Sequence, residues 1–197
     1  MKIGILGTGR VATTLGERLI SRGHTLVYGS REPASGSATQ QDAVSASDIV
    51  ITAIPGAAVL GTLDALGDDA LTGKILLDPS VPVGADGQLL FPGDSLARRV
   101  QERFPALRVV KTLNTMNTSM MTDSADTVAN PMVFVSGDDP DAKATVRELL
   151  HDLGWSDQDI LDLGGVETAV GTEHAFHLFF GVLTALQSPQ FTLSVTR

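Results

Sequence analysis

Apolar positions along this chain fall into short continuous runs that alternate with stretches of helical spacing. Ile3 to Leu6 is the first run. Val11, Leu15, Leu19 and Ile20 then mark one stripe of an amphipathic helix, which Gly23 ends before a second run at Thr25 to Tyr28. The same alternation continues. Strands are expected at Ile49 to Ile54, Lys74 to Asp78, Arg108 to Leu113 and Met132 to Ser136. Helices are expected at Thr39 to Ser47, Ala57 to Leu66, Asp94 to Phe104, Asp139 to Leu153 and Thr168 to Gln187, with Trp155 to Leu163 an edge strand or extended segment. Runs that do not alternate apolar with polar are strands buried on both faces, and strand–helix alternation of this kind builds a parallel sheet with helices on both sides. The expected fold is therefore α/β, a doubly wound and mostly parallel sheet. Residues 1–165 form the main domain. Residues 166–197 form a short C-terminal helical extension, a cap or dimer contact rather than an independent domain.

The first thirty residues carry the clearest chemistry. Gly7, Gly9 and Ala12 occupy the positions of a G-x-G-x-x-A turn between the first strand and the first helix. Gly7 allows a sharp turn, Gly9 lets a pyrophosphate approach the backbone, and Ala12 lets the helix sit close to the sheet. The free N–H groups of the helix start would face the phosphates, alongside Thr8, Arg10 and Val11. This is the layout of a dinucleotide-binding (Rossmann) unit. The second strand ends Tyr28-Gly29-Ser30-Arg31-Glu32. Ser30 and Arg31 offer a hydroxyl and a guanidinium suited to a ribose 2′-phosphate, hence NADP. A register slip of two would make Glu32 the ribose ligand and the cofactor NAD. Arg31 comes first, and Pro33 turns the chain away just after Glu32.

Composition narrows the setting. The 197 residues are 43% hydrophobic, enough for one good-sized domain, and carry a net charge of −9, which argues against nucleic acid or an anionic membrane as the main partner. With no cysteine, thiolate metal sites and disulfides are excluded. No apolar run reaches the ~18 residues of a membrane span, and the first strand starts at residue 2, so a cytoplasmic protein without a leader is expected.

Three stretches carry a resemblance: Ile3 to Ala12, Tyr28 to Arg31, and Val109-Val110-Lys111-Thr112-Leu113-Asn114-Thr115-Met116. Together they resemble the NADP oxidoreductases that depend on the deazaflavin coenzyme F-420, over roughly the first 165 residues. Asp78-Pro79-Ser80-Val81-Pro82 is similar to that family's Asp-x-x-Asn-Pro segment, with Ser80 and Val81 in place of its usual polar pair. The resemblance implies a fold akin to 6-phosphogluconate dehydrogenase-like proteins. It also implies hydride transfer between NADP and a deazaflavin, or a related flavin acceptor. By position, Ile54 and Pro55 would line the ribose and nicotinamide. Asn114, Thr115 and Met116 would lie where the nicotinamide meets the second ring.

Hydride transfer between two ring systems needs close, stacked and water-shielded rings rather than an acid–base pair. Small or apolar residues suit it: Ile54, Pro55, Ala57, Val81, Pro82 and Met116, so positioning by Pro55, Asn114 and Met116 would do most of the catalysis. Two alternatives stand beside this reading. One is an NADPH-dependent reductase of a small carbonyl or imine, with Lys111 or Asn114 as proton donor. The other is a protein that senses NADP(H) without turnover. Met116, Met120 and Met121 read equally as an adaptable ring surface or as core. His174 and His177, beside Glu173, would need a further ligand nearby to hold a metal, so a structural or interface role is expected of them. The last helix is apolar nearly all round, which suggests burial against a partner subunit, as in a homodimer, or over the active-site mouth. For Arg31→Ala we expect affinity for NADPH to fall far more than affinity for NADH, by about 1.5–3 kcal/mol, the worth of a charged hydrogen bond. Calorimetric titration with both cofactors checks this, and equal losses would reject the 2′-phosphate assignment.

Overall fold

In the computed structural model, residues 1–195 are described. Eight strands form one sheet in the order β3-β2-β1-β4-β5-β6-β7-β8. They are β1 (Lys2–Leu6), β2 (Thr25–Ser30), β3 (Ala38–Thr39), β4 (Ile49–Thr52), β5 (Ile75–Asp78), β6 (Arg108–Thr112), β7 (Val133–Ser136) and β8 (Ile160–Gly164). All neighbours pair in parallel except β6 and β7. The helices are α1 (Arg10–Ser21), α2 (Gln40–Ser45), α3 (Gly56–Leu66), α4 (Asp68–Leu71), α5 (Leu96–Arg103), α6 (Pro140–Asp152) and α7 (Ala169–Leu186).

The strands feed two cores in alternation, as a period of two requires. Ile3, Ile5, Ile49, Ile51 and Leu77 pack against Leu15 and Leu19 of α1 and Leu149 and Leu150 of α6. Leu6, Val50, Leu76 and Val109 face the other way, onto Val44 of α2, Val59 and Leu63 of α3, and Val100 of α5. Each layer of helices thus covers one face, the doubly wound arrangement expected from the sequence.

Local chemistry accounts for the element ends. Asp139 caps α6 by accepting from the Ala142 N–H (2.8 Å), and Pro140 opens the helix without needing a donor. Ser95 caps α5 in the same manner. The two helices begin one and two residues inside the expected boundaries. Four features differ from expectation. A two-residue strand, β3, precedes α2, and a single turn, α4, follows α3. The Trp155 to Leu163 stretch resolves into an edge strand, β8, that begins only at Ile160. The helix predicted from Thr168 starts at Ala169, behind a 3-10 turn at Val166–Thr168. β3 and α4 are too short for any hydrophobic period to register.

What matters for the site is the crossing between β1 and β4. The chain leaves β1 for β2 on one side, while β4 to β6 extend on the other. In open α/β sheets a ligand crevice lies at this switch point, beyond the carboxyl ends of the strands. Gly7, Ala53 and Pro79 all follow such ends.

Candidate active site

The crevice has two joined compartments. The first, about 450 Å³, is lined by the Gly7-Thr8-Gly9 turn, by Gly29 to Glu32 and Gln40, and by Ala53, Ile54 and Pro55. The second, about 290 Å³, shares Gly9, Ala53, Ile54 and Pro55 and adds Arg10, Val11, Thr52, Pro79 and Ser80. Gly7 has φ +119°, and a Cβ there would overlap the Ala53 carbonyl. Only glycine makes this turn while keeping β1 and β4 tips together. A Cβ on Gly9 would meet nothing within 4 Å, so the space above it is open to a ligand. No side chain caps the N-terminus of α1, leaving its N–H groups free toward the crevice. Ala12 is fully buried, which lets α1 lie close on the sheet.

Ser30 is the last residue of β2, and Arg31 and Glu32 are exposed beyond it. The Ser30 hydroxyl donates to the Glu32 carbonyl (3.0 Å), closing a small turn that holds the pair at the rim. Arg31 enters no ion pair among the described residues. A free guanidinium, an uncapped helix start and an open glycine turn fit a phosphorylated dinucleotide.

Behind the second compartment lies a buried ion cluster. Asp78 and Lys111 are cross-strand neighbours on β5 and β6, with Lys111 Nζ 2.8 Å from Asp78 Oδ2. Glu173 reaches in from α7, its Oε1 2.9 Å from the same Nζ. Lys111 has a side-chain exposure of 0%. The carboxylates are otherwise satisfied. Glu173 accepts from the N–H groups of Leu96 (2.8 Å) and Ala97 (3.2 Å) at the start of α5, where the helix dipole favours an anion. Asp78 Oδ1 accepts from the Thr52 hydroxyl and from the N–H (3.1 Å) and hydroxyl (2.6 Å) of Ser80. Lys111 also donates to the Ser80 carbonyl. Burial alone would raise the Asp78 carboxyl, but the Lys111 charge and these hydrogen bonds outweigh it and hold the pKa below the ordinary 3.8. Burial likewise opposes the Lys111 charge, yet the two carboxylates push its pKa above 10.5. Lys111 is therefore a locked cation with no path to substrate. The reading of Lys111 as a proton donor is corrected on this ground.

The tip of β6 is unusual in its backbone. Leu113 has φ 63°, a strained value for leucine, and is buried. It turns the chain so that Asn114 follows with a buried Nδ2 that has no hydrogen-bond partner among the described residues. Thr115 and Met116 are 4% and 7% exposed, and Met116, Met120 and Met121 all belong to the core cluster under α1 and α6. Met116 packs there rather than lining either compartment, because the reversal at Leu113 directs the segment into the sheet-facing layer. Asn114 and Thr115 are likewise absent from both linings. His174 donates from Nδ1 to the Val170 carbonyl (2.8 Å) and accepts at Nε2 from the Gly93 N–H (3.2 Å), tying α7 to the loop before α5. A larger cavity, about 760 Å³, lies elsewhere, between α5 and the start of α6. Several of its charges are already engaged, Arg98 with Asp94 and Glu102, Asp138 with the Val166 N–H. It lacks the glycine turn and the uncapped helix start of the crevice.

Sequence reasoning named Asp78, Lys111 and Glu173 separately but did not join them. A carboxylate on an apolar helix, and opposite charges at adjacent strand ends, were the available signals. Thr52 and Ser80 as hydrogen-bond partners were missed.

Fold and crevice together define an α/β protein built to hold a dinucleotide at its sheet switch point. The family model described as NADP oxidoreductase, coenzyme F420-dependent, matches residues 2–82. A chain described as an F420-dependent NADP reductase, from Arthrobacter sp. FB24, superposes with a TM-score of 0.92 at 36% identity, covering 100% of both chains. This chain belongs to that family of NADP-dependent oxidoreductases. The metalloreductase STEAP3 of Rattus norvegicus is 32% identical over 177 residues, 85% of this chain and 35% of the rat protein, so the chain spans about a third of that relative. A reductive aminase from Aspergillus terreus, solved with NADPH and ethyl levulinate, shares the fold at 21% identity and a TM-score of 0.68, covering 94% of this chain and 62% of its own. Among the described residues, no helix is long and apolar enough to cross a membrane.

The cluster makes a stability prediction. Lys111→Met leaves two buried carboxylates without their cation and should cost about 3–5 kcal/mol in denaturant unfolding near neutral pH. The sign of the pH dependence follows from the shifts. The lowered Asp78 pKa stabilises the wild type above 3.8, and that share is lost as pH falls below it; the raised Lys111 pKa stabilises it below 10.5, and that share is lost as pH rises beyond it. In the variant an unpaired buried Asp78 favours its protonated form. The deficit should therefore narrow on acidification, and a deficit independent of pH would contradict the ion cluster.

Proposed function

We propose that this chain transfers a hydride between NADP(H) and a deazaflavin of the F-420 type, or a related flavin. The observation that carries the reading is the crevice itself. It joins Ser30 and Arg31, groups suited to a 2′-phosphate, to an apolar Ile54-Pro55 shelf, and the Thr52 and Ser80 hydroxyls in its wall both already donate to Asp78. When bound, NADPH supplies the hydride. Thr8 to Ala12 and the start of α1 hold the pyrophosphate, and Arg31 with Ser30 holds the 2′-phosphate. Ile54 and Pro55 keep water from one ring face, so that rate comes from alignment. Solvent supplies the proton that the reduced acceptor takes up. Family membership and the full-length likeness to the Arthrobacter chain support a deazaflavin as that acceptor.

The reading of a carbonyl or imine reductase is weaker, since Lys111 is sealed. The STEAP3 likeness keeps ferric chelates in view as an acceptor class. Leu178, Phe180 and Leu186 are 57%, 47% and 57% exposed along α7, and a contact with a second copy of this chain would cover such a surface. A homodimer should give a light-scattering mass of two chains, and the mass of one would reject it.

Rapid mixing of the protein with NADPH and oxidised F-420, FMN, a ferric chelate or a cyclic imine tests the reaction. NADPH absorbance should fall fastest with the deazaflavin. NADPH that binds but is not oxidised by any acceptor would leave the sensing alternative, and faster turnover of the imine would replace the hydride-to-flavin reading.

A further inference from the structure

Ser80 lines the second compartment next to Thr52, Ile54 and Pro55, yet its polar atoms are committed behind that wall. Its hydroxyl donates to Asp78 Oδ1 (2.6 Å), its N–H donates to the same oxygen (3.1 Å), and its carbonyl accepts from Lys111. Asp78 is fully buried and faces Lys111 through Oδ2, so it is ionised and has no proton to return. The single hydroxyl proton of Ser80 is thereby spent. What remains on Oγ is lone-pair capacity, and among the described residues no N–H or O–H donates to it. Thr52 is in the same state, its hydroxyl also donating to Asp78. The polar part of this wall is therefore acceptor-only and backed by a carboxylate.

A group that fits such a wall is a neutral N–H donor. A carboxylate would meet lone pairs and a buried negative charge. The one cation in the lining, Arg10, belongs to the glycine turn, on the pyrophosphate side. We propose that Ser80 Oγ, fixed as an acceptor by Asp78, receives the carboxamide NH₂ of the nicotinamide and selects it over the deamidated nicotinate form of the dinucleotide. This assignment rests on the NADP reading above and names the residue that recognises the reactive ring's substituent. Lys111 and Glu173 act through Asp78 as positioning residues. They keep it ionised, which keeps the Ser80 proton turned away from the compartment.

The test is calorimetric binding of the intact chain to NADP⁺ and to nicotinic acid adenine dinucleotide phosphate. The wild type should prefer the amide by about tenfold or more, because a buried acceptor facing a carboxylate loses its partner. Ser80→Ala should weaken NADP⁺ binding by roughly 3–10-fold and shrink the preference, while Ser80→Thr, which keeps the hydroxyl, should retain most of it. Melting temperatures establish that the variants fold, and the wild-type ratio carries the test even where one does not. Equal wild-type affinities would overturn the assignment, as would an unchanged ratio in Ser80→Ala, and both would leave the NADP reading standing. Binding of neither dinucleotide would overturn the NADP reading and this assignment with it.

Discussion

A lysine with no exposed side-chain surface cannot lean on water for its charge, so the protein must supply the compensation. Here it comes from carboxylates in two distant parts of the chain. Asp78 stands at the end of β5, Lys111 beside it on β6, and Glu173 arrives from the C-terminal helix almost a hundred residues after Asp78. The desolvation cost of such a cluster is high, and an apolar replacement of the same shape could match its stability. Its effect is on placement. The cluster holds the tips of two sheet strands, the start of α5 and the start of α7 in one fixed relation, because any of these drifting apart would strand a buried charge.

That relation reaches the crevice through hydroxyls. Thr52 ends β4 and Ser80 follows β5, and both bond to the carboxylate that Lys111 neutralises. The compartment wall is thus rigid where the sheet would otherwise dissolve into loops. At the other end of the crevice rigidity comes from sterics instead. Gly7 turns with φ +119° against the Ala53 carbonyl, and the backbone itself sets the distance between the β1 and β4 tips. Arg31 at the rim enters no ion pair among the described residues, which suits a side chain meant for a ligand. The charges behind the crevice, by contrast, are buried and satisfied.

The division between what was legible in the sequence and what was not follows the range of the interactions. The glycine turn, α1 and the strand run at Ile49 are local patterns, and each sits where its residues direct it. Helix caps at Asp139 and Ser95 are equally local. The ion cluster is not, since nothing in the spacing of residues 78, 111 and 173 reveals that the strand order brings them together. Met116 illustrates the same limit at a single residue. Its place after a strand tip suggested the crevice, but a left-handed turn at Leu113 reverses the segment into the core. Leucine gives no advance sign of positive φ, so only the fold could reveal it.

The strained Leu113 and the unpartnered Asn114 Nδ2 bear on the acceptor side in a way the glycine turn does not. A left-handed leucine persists only where its surroundings over-determine it, and here burial in the core holds it. The effect is to separate two roles at neighbouring tips. The tips of β1, β4 and β5 line the crevice, whereas the tip of β6 braces it from behind with Lys111 and then turns away into the core. Those crevice tips belong to the first half of the chain, where the family model also matches, at residues 2–82. The second half contributes Lys111 and Glu173, which line neither compartment and reach the crevice wall through Asp78, to which Ser80 donates. The wall of the crevice thus depends on residues from both halves.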